Sequence, residues 1–238
     1  MQEKRDNILL IGYGRYGEKI ANFFDENEGN LYILETEEKN IQRARQNGWD
    51  KLFLIDIDND DALLDILEKE NFSYVFCATD DEEKNVYFTI TLKSLKPNLK
   101  IISICESKES ERKLKLAGAL RVIDTMEGSA NKIFHLIEKP AVMEAIEEIL
   151  FTSDDIDIKE IEIPKISFLD GKYIKDIDLK KDFNLILIGI IDKEQGDNFV
   201  FITKGINHKL DAEDILVIIG YNDDIKKFIK ALKESRQR

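Results

Sequence analysis

The 238-residue chain is poor in the residues that carry most reactive chemistry: two cysteines, two histidines, three prolines and one tryptophan. Cys77 and Cys105 both fall in apolar stretches that read as buried strands, and they lack metal-ligand spacing. A disulfide framework and a zinc ribbon are therefore excluded, and a reducing cytosolic compartment fits best. No apolar run approaches the roughly 20 residues of a membrane helix, and no secretory leader is visible. Of the histidines, His135 lies in a helical pattern and His208 in a polar turn, structural or surface settings rather than catalytic ones. Nucleophile elbow, histidine-pair metal motif and P-loop are all missing, so no catalytic residue and no metal site is assigned. Basic charge is also in deficit: 35 Lys and Arg against 48 Asp and Glu leave a net charge of −13. That sign repels phosphate backbones and anionic lipid, and nucleic acid is not an expected partner.

What is present is globular: 43% hydrophobic and 35% charged residues. Apolar runs at Asn7 to Ile11, Leu31 to Leu34, Leu52 to Ile55, Tyr74 to Ala78, Ile101 to Cys105 and Leu120 to Ile123 alternate with helical patterns such as Ile20, Ala21, Phe24 and Leu63, Ile66, Leu67. This alternation predicts βαβ units feeding a doubly wound, Rossmann-like parallel sheet in an α/β fold. Asp80 and Glu83 have capping-box spacing and predict a helix just after strand four. Beyond Asp124 the strands stop, and Gly128 to Glu138 and Pro140 to Phe151 read as two successive helices. The second carries a Val142, Met143, Ile146, Ile149, Leu150 stripe that serves either core packing or a dimer contact. An acidic break, Thr152 to Asp157, precedes a smaller α+β lobe with strands at Ile158 to Ile163, Phe183 to Ile191, Phe199 to Thr203 and Ile215 to Ile219, then a helix through Ile225, Phe228, Ile229 and Leu232. The expected division is 1–126, 127–152 and 153–238, with Gln2 to Asp6 as a polar lead-in.

The most informative segment runs from the first strand into Gly12-Tyr13-Gly14-Arg15-Tyr16-Gly17, a G-x-G-x-x-G loop opening a helix. In such loops the first glycine permits the tight turn, the second lets backbone N–H groups approach a pyrophosphate, and the third allows close helix packing. Glu35 ends the second strand eighteen residues after Gly17, where a carboxylate accepts from a ribose 2′-OH and repels a 2′-phosphate. NAD(H) or an adenine nucleotide is favoured over NADP; the alternative is a structural turn that only keeps the geometry. Asp56, Asp58 and Asp60 imitate the start of an EF-hand, but the sixth position is Asp61 rather than Gly and the twelfth is Leu67 rather than Glu. A solvated helix start explains them better, as it does the acidic groups Asp80 to Glu83 and Asp154 to Asp157.

With these residues in view, the chain resembles the cytoplasmic RCK domains, also called TrkA or KTN domains, which regulate potassium channels and transporters. The N-terminal likeness is carried by GYGRYG at Gly12 to Gly17, Glu35, Asp56, ATDDEEKN from Ala78 to Asn85 and KLAGALRVID from Lys115 to Asp124. The C-terminal likeness is carried by the strand ending at Pro164, LDGKYIKDIDL from Leu169 to Leu179, the Leu185 to Ile191 strand and LDAEDILVIIG from Leu210 to Gly220.

The resemblance implies a regulatory domain, not an enzyme, that binds NAD(H), ATP, ADP or AMP without turning it over. Gly12, Gly14 and Gly17, with Tyr13, Arg15 and Tyr16 between them, would hold phosphates, Glu35 the ribose, Asp56 and Ile57 the adenine side, and Ala78, Thr79 and Asp80 the far edge. It also implies homodimers through 127–152 assembling into a larger ring, at the inner face of the cell membrane beneath a potassium pore. Two departures stand out. Relatives place an Arg after strand five where this chain has Ile104 and Cys105, with Arg15 as a possible substitute; and a calcium-gated relative's acidic set is met only by Glu106, so calcium at that site is not expected. The GYGRYG variant resembles channel-attached domains more than free-standing ones, so the expected role is the gating domain of a potassium channel. The alternatives are a free-standing TrkA-type transporter subunit and a small NAD-dependent oxidoreductase.

Overall fold

A computed structural model describes residues 7–24, 30–152, 155–194, 196, 198–202 and 208–234. The expected lead-in Gln2 to Asp6, together with Asp154 and Thr203, lies outside them. The chain divides into two compact units, Met1–Phe134 and His135–Arg238.

In the first unit, β1 (Asn7–Ile11), α1 (Arg15–Ala21), β2 (Leu31–Glu35), α2 (Glu38–Gln46), β3 (Leu52–Leu54), α3 (Asp60–Lys69), β4 (Phe72–Cys77), α4 (Glu82–Leu95), β5 (Lys100–Cys105), α5 (Lys108–Leu116) and β6 (Arg121–Asp124) follow in strict alternation. All six expected strands are present. They form one parallel sheet in the order β3-β2-β1-β4-β5-β6, the doubly wound arrangement whose winding reverses beside β1. Alternate residues of the central strands enter opposite cores, as a sheet covered on both faces requires. Leu9, Ile11 and Leu34 pack with Leu63, Ile66 and Leu67 of α3 and Phe88 and Leu92 of α4. Leu10 and Ile33 pack with Ala21 of α1 and Ala44 of α2 on the other face. Both cysteines are buried and unbridged, and burial pushes the Cys77 thiol up to about 12.

α6 (Thr125–Glu138) and α7 (Pro140–Glu147) follow, the latter continuing into a π-helical turn over Glu148–Thr152. Pro140 stands at the start of α7, where its missing N–H is harmless. Neither helix buries a residue. Val142, Ile146 and Leu150 of the apolar stripe are exposed, so core packing of that stripe is not observed.

The second unit holds β7 (Ile156–Glu162), α8 (Leu179–Phe183), β8 (Ile186–Ile191), β9 (Phe199–Phe201), β10 (Ile215–Tyr221) and α9 (Asn222–Glu234). Its strands form an antiparallel sheet, β7-β10-β8-β9. The expected strand from Phe183 begins late, because Phe183 ends α8 and Asn184 turns the chain through the left-handed region at φ 59°, a conformation Asn tolerates. One face of the sheet buries Leu216 and Ile218 against Ile225, Phe228 and Leu232 of α9. Phe228 is central: its ring lies 5.1 Å from Phe183 and 6.4 Å from Phe168, both edge-on. Among the described residues no helix is long and apolar enough to cross a membrane.

Phe228→Ala should cost about 3–5 kcal/mol, the range for emptying a buried aromatic site. Urea denaturation followed by circular dichroism reads the loss, and a cost below about 1 kcal/mol would show that this cluster does not hold the lobe.

Candidate functional site

β1 and β4 are neighbours, so the loops that leave their carboxyl ends emerge side by side. Gly12 adopts φ +100°, and a Cβ there would stand 2.7 Å from the Cα and N of Thr79. Only glycine combines that backbone with that approach. A Cβ on Gly17 would overlap the carbonyl oxygen of Gly12, which is the close helix packing expected of the third glycine. The turn is tied to both flanking strands: the Gly12 amide donates to the Leu34 carbonyl at 2.9 Å, and the Ala78 amide to the Ile11 carbonyl at 2.8 Å.

Gly14 faces something unexpected. The carboxylate of Asp80 lies against it, with Cγ and Oδ2 each 2.5 Å from where a Cβ would be. The Arg15 amide donates to Asp80 Oδ1 at 2.8 Å and to Oδ2 at 3.0 Å. Asp80 therefore does not cap α4. Asp81 does, accepting from the Glu83 amide at 2.9 Å and the Lys84 amide at 3.3 Å, so the expected cap is displaced by one residue.

Asn85 fixes the loop between them. Buried in α4, it accepts from the Thr79 amide at 2.9 Å and the Thr79 hydroxyl at 2.8 Å, and it donates to the carbonyls of Thr79 and Ile104 at 3.1 and 3.2 Å. Glu82 ties the same helix to the end of β5, accepting from the amides of Glu106 and Ser107 at 2.9 and 3.1 Å and from the Ser107 hydroxyl at 2.9 Å. The Glu106 amide is the chief cause that holds the Glu82 carboxyl below its ordinary range.

Glu35 is buried at 4% exposure and fully engaged. Oε1 accepts from the Tyr13 amide at 2.5 Å and Asn40 Nδ2 at 2.9 Å; Oε2 accepts from the Thr36 and Glu37 amides at 2.9 and 3.2 Å. Four donors meet the four acceptor positions of a carboxylate. Arg43, missed by sequence reasoning, donates to the Tyr13 carbonyl and approaches Glu18 at 3.4 Å.

These elements border a cleft of about 430 Å³, lined by Gly14, Arg15, Glu35, Thr79 and Asp80 among the expected residues and by Lys39, Arg43 and Lys84 among the others. Gly12, Gly17 and Ala78 lie buried behind the wall. Tyr13 points into the core with no exposure, its hydroxyl accepting from Asn47 at 3.1 Å. Tyr16 turns toward β5 and α6, bonding Glu106 at 2.8 Å and Thr125 at 3.1 Å. Asp56 is exposed after β3 and Ile57 is half-buried against the first core; both lie outside this wall. The neighbouring Asn59 caps α3 through the Ala62 amide at 2.9 Å, so a helix start accounts for this acidic run.

Neither histidine lines the cleft. His208 instead stands between two buried carboxylates of the second unit, its Nε2 3.6 Å from Asp192 and 3.5 Å from Asp214. The Asp214 carboxylate also accepts from the Lys193 and Asp211 amides at 3.1 and 2.9 Å, a turn-holding arrangement.

A doubly wound sheet with a glycine-loop cleft at its reversal, followed by a small antiparallel lobe, defines a class of Rossmann-type two-lobed proteins. The sequence matches the TrkA-N domain over residues 8–125 and the TrkA-C domain over 158–233, and the chain belongs to the RCK family of regulatory domains. It is similar to potassium channel protein 1 of Methanocaldococcus jannaschii, 22% identical over 227 residues, covering 95% of this chain and 67% of that protein. Among solved structures, the TrkA-N domain of the inner membrane protein ybaL from Escherichia coli superposes with a TM-score of 0.50 at 17% identity, covering 56% of this chain and 96% of that one. The GsuK channel bound to NAD gives 0.46 at 18% identity, covering 98% of this chain and only 39% of that one. The chain thus spans about two thirds of that curated relative and less than half of the GsuK channel.

The Glu82 contacts make a pH prediction. A carboxyl held below its unfolded pKa adds stability that is present above the unfolded value and is lost as pH falls through the folded one. Glu82→Gln should therefore be less stable than the parent at neutral pH, with the gap closing in acid. Urea midpoints across a pH series check this, and a gap that stays constant would contradict it.

Proposed function

We propose that the chain is a nucleotide-sensing gating domain: NAD(H) or an adenine nucleotide binds the cleft beside β1 and β4 and biases the conformation of paired copies that act on a potassium pore. The observation that carries this reading is the glycine loop itself. Gly12, Gly14 and Gly17 stand where a Cβ would meet the Thr79 backbone, Asp80 and the Gly12 carbonyl, so the turn at the sheet's switch point packs without side chains and brings Gly14 to the cleft wall. Arg15, Lys39, Arg43 and Lys84 supply cations along the same cleft. They fit phosphate, with Arg15 standing in for the arginine that relatives place after the fifth strand. Glu35 at the end of β2 disfavours a 2′-phosphate, which supports NAD over NADP.

The domain reads its ligand and does not transform it. Occupancy shifts the equilibrium between two arrangements only by its differential affinity for them, typically about 1–3 kcal/mol per site, and identical subunits in a ring multiply the effect. Residues 127–152 form the pairing element between the lobes 1–126 and 153–238. Ile133, Ile137, Val142, Leu150 and Phe151 are exposed along it, an apolar face suited to a second copy of the same helices. The domain then works on the cytoplasmic side of the membrane, held there by the pore it regulates.

ADP or NAD(H) should raise the unfolding midpoint of the purified chain, a stabilisation of about 2.7 kcal/mol at a hundredfold excess over Kd. Gly14→Asp should abolish the shift while leaving the fold intact by circular dichroism. No shift with NAD, NADH, ATP, ADP or AMP would end the nucleotide reading.

Ile137, 77% exposed in the isolated chain, tests the pairing element separately. Ile137→Glu should convert the dimer to a monomer in sedimentation velocity while circular dichroism shows the fold retained; a mass unchanged by the substitution would place the interface elsewhere.

A further inference from the structure

The cleft already contains an anion. Asp80 sets its carboxylate on the glycine loop, both oxygens within hydrogen-bond distance of the Arg15 amide and the group resting on Gly14, the position the motif keeps clear for a ligand's phosphate. We infer that Asp80 is an intramolecular competitor for the phosphate position, which a phosphate-bearing ligand must displace and which sets the affinity of the site for charge. This deepens the nucleotide reading above and rests on it.

Three observations favour a competitor over a structural brace. Asp81 already caps α4, so Asp80 has no part in starting that helix. Asn85 already fixes the Thr79 backbone, so the loop does not need Asp80 to hold its shape. The Asp80 side chain is 40% exposed, and its ion pair with Arg15 is loose at 3.7 Å with the arginine 72% exposed. A contact of that kind holds little stability and yields readily to a better-placed partner. A bound phosphate would share the Arg15 amide and would stand within a few ångströms of the carboxylate. At that separation two like charges repel by an amount that matters even near the surface.

The cleft's charge balance points the same way. Glu18, Glu35, Glu37, Asp80 and Asp81 face Arg15, Lys39, Arg43 and Lys84 along the wall. Glu35 is consumed by four protein donors and Asp81 by its cap. Lys84 lies 3.4 Å from Glu37, and Arg43 3.4 Å from Glu18. Asp80 is the carboxylate of the set that lies on the phosphate position itself.

The test compares the parent chain with Asp80→Asn, which keeps the size and one acceptor but removes the charge, and with Asp80→Ala, which removes both. Calorimetric titrations use ADP, inorganic pyrophosphate and adenosine. Both variants should bind ADP and pyrophosphate about tenfold more tightly than the parent, the gain should shrink as salt is raised, and adenosine should be unaffected. Circular dichroism and the unfolding midpoint confirm that each variant is folded. If the parent binds ADP and the variants bind it equally or more weakly, Asp80 is a bystander or a ligand contact and the inference is wrong. An equal gain for adenosine also overturns it, because relief of phosphate repulsion cannot act on a ligand without phosphate. Folded parent and variants that all ignore ADP and pyrophosphate would remove the nucleotide reading and this inference with it.

Discussion

The close approach between Gly12 and the Thr79 backbone governs the carboxyl edge of the parallel sheet. Because the winding reverses beside β1, the loops after β1 and β4 leave the sheet together instead of being separated by a helix. They can lie in contact only if the first residue past β1 takes a positive φ and carries no side chain. From that contact one consequence follows: Asp80, next to Thr79, is close enough to reach the Arg15 amide across 65 residues of sequence, while Asn85 holds the Thr79 loop from within α4. The cleft is therefore made by backbone packing, and its side chains are arranged around it.

Electrostatics then separates the carboxylates by duty. A buried carboxylate is costly unless its oxygens are satisfied, and Glu35 is satisfied four times over by the residues it organises. Glu82 performs the same service between α4 and the end of β5. In a chain with a net charge of −13, acidic groups at a phosphate-type site are expected by number alone. What distinguishes Asp80 is placement. It lies on the glycine loop, and it shares no structural task with its neighbours. Lys108 shows the opposite arrangement, an ammonium set among Glu111, Asp124 and Glu127 that neutralises an acidic group with a fixed partner.

Much of this architecture was legible in the sequence because the central N-terminal strands are buried on both faces and so read as continuous apolar runs. All six strands of the parallel sheet lie where those runs are, and the glycine spacing locates the cleft. The errors came from places where adjacent residues compete for one role. Asp80 and Asp81 are both good caps by type, and only the reach back to Arg15 decides that the second takes the helix. Phe183 and Leu185 look like one strand because both are apolar, yet a left-handed Asn184 separates a helical turn from a strand. Asn85 and Arg43 act through contacts with backbone far away in sequence, for which no local pattern exists. The environment of His208 is partly non-local, since Asp192 approaches it from the end of β8 while Asp214 lies six residues further along the same connection.

The central claim is that a nucleotide's phosphates engage the glycine loop beside the Thr79–Asp80 segment. The most direct measurement is a nitrogen–proton correlation spectrum of the isotope-labelled chain titrated with ADP, with the amide of Arg15 as the reporter. The account predicts that the Arg15 resonance moves most, together with those of residues 12–17 and of Thr79 and Asp80, while the amides around His208 stay in place. Saturable binding whose shifts map to the second unit, with Arg15 unmoved, would contradict it.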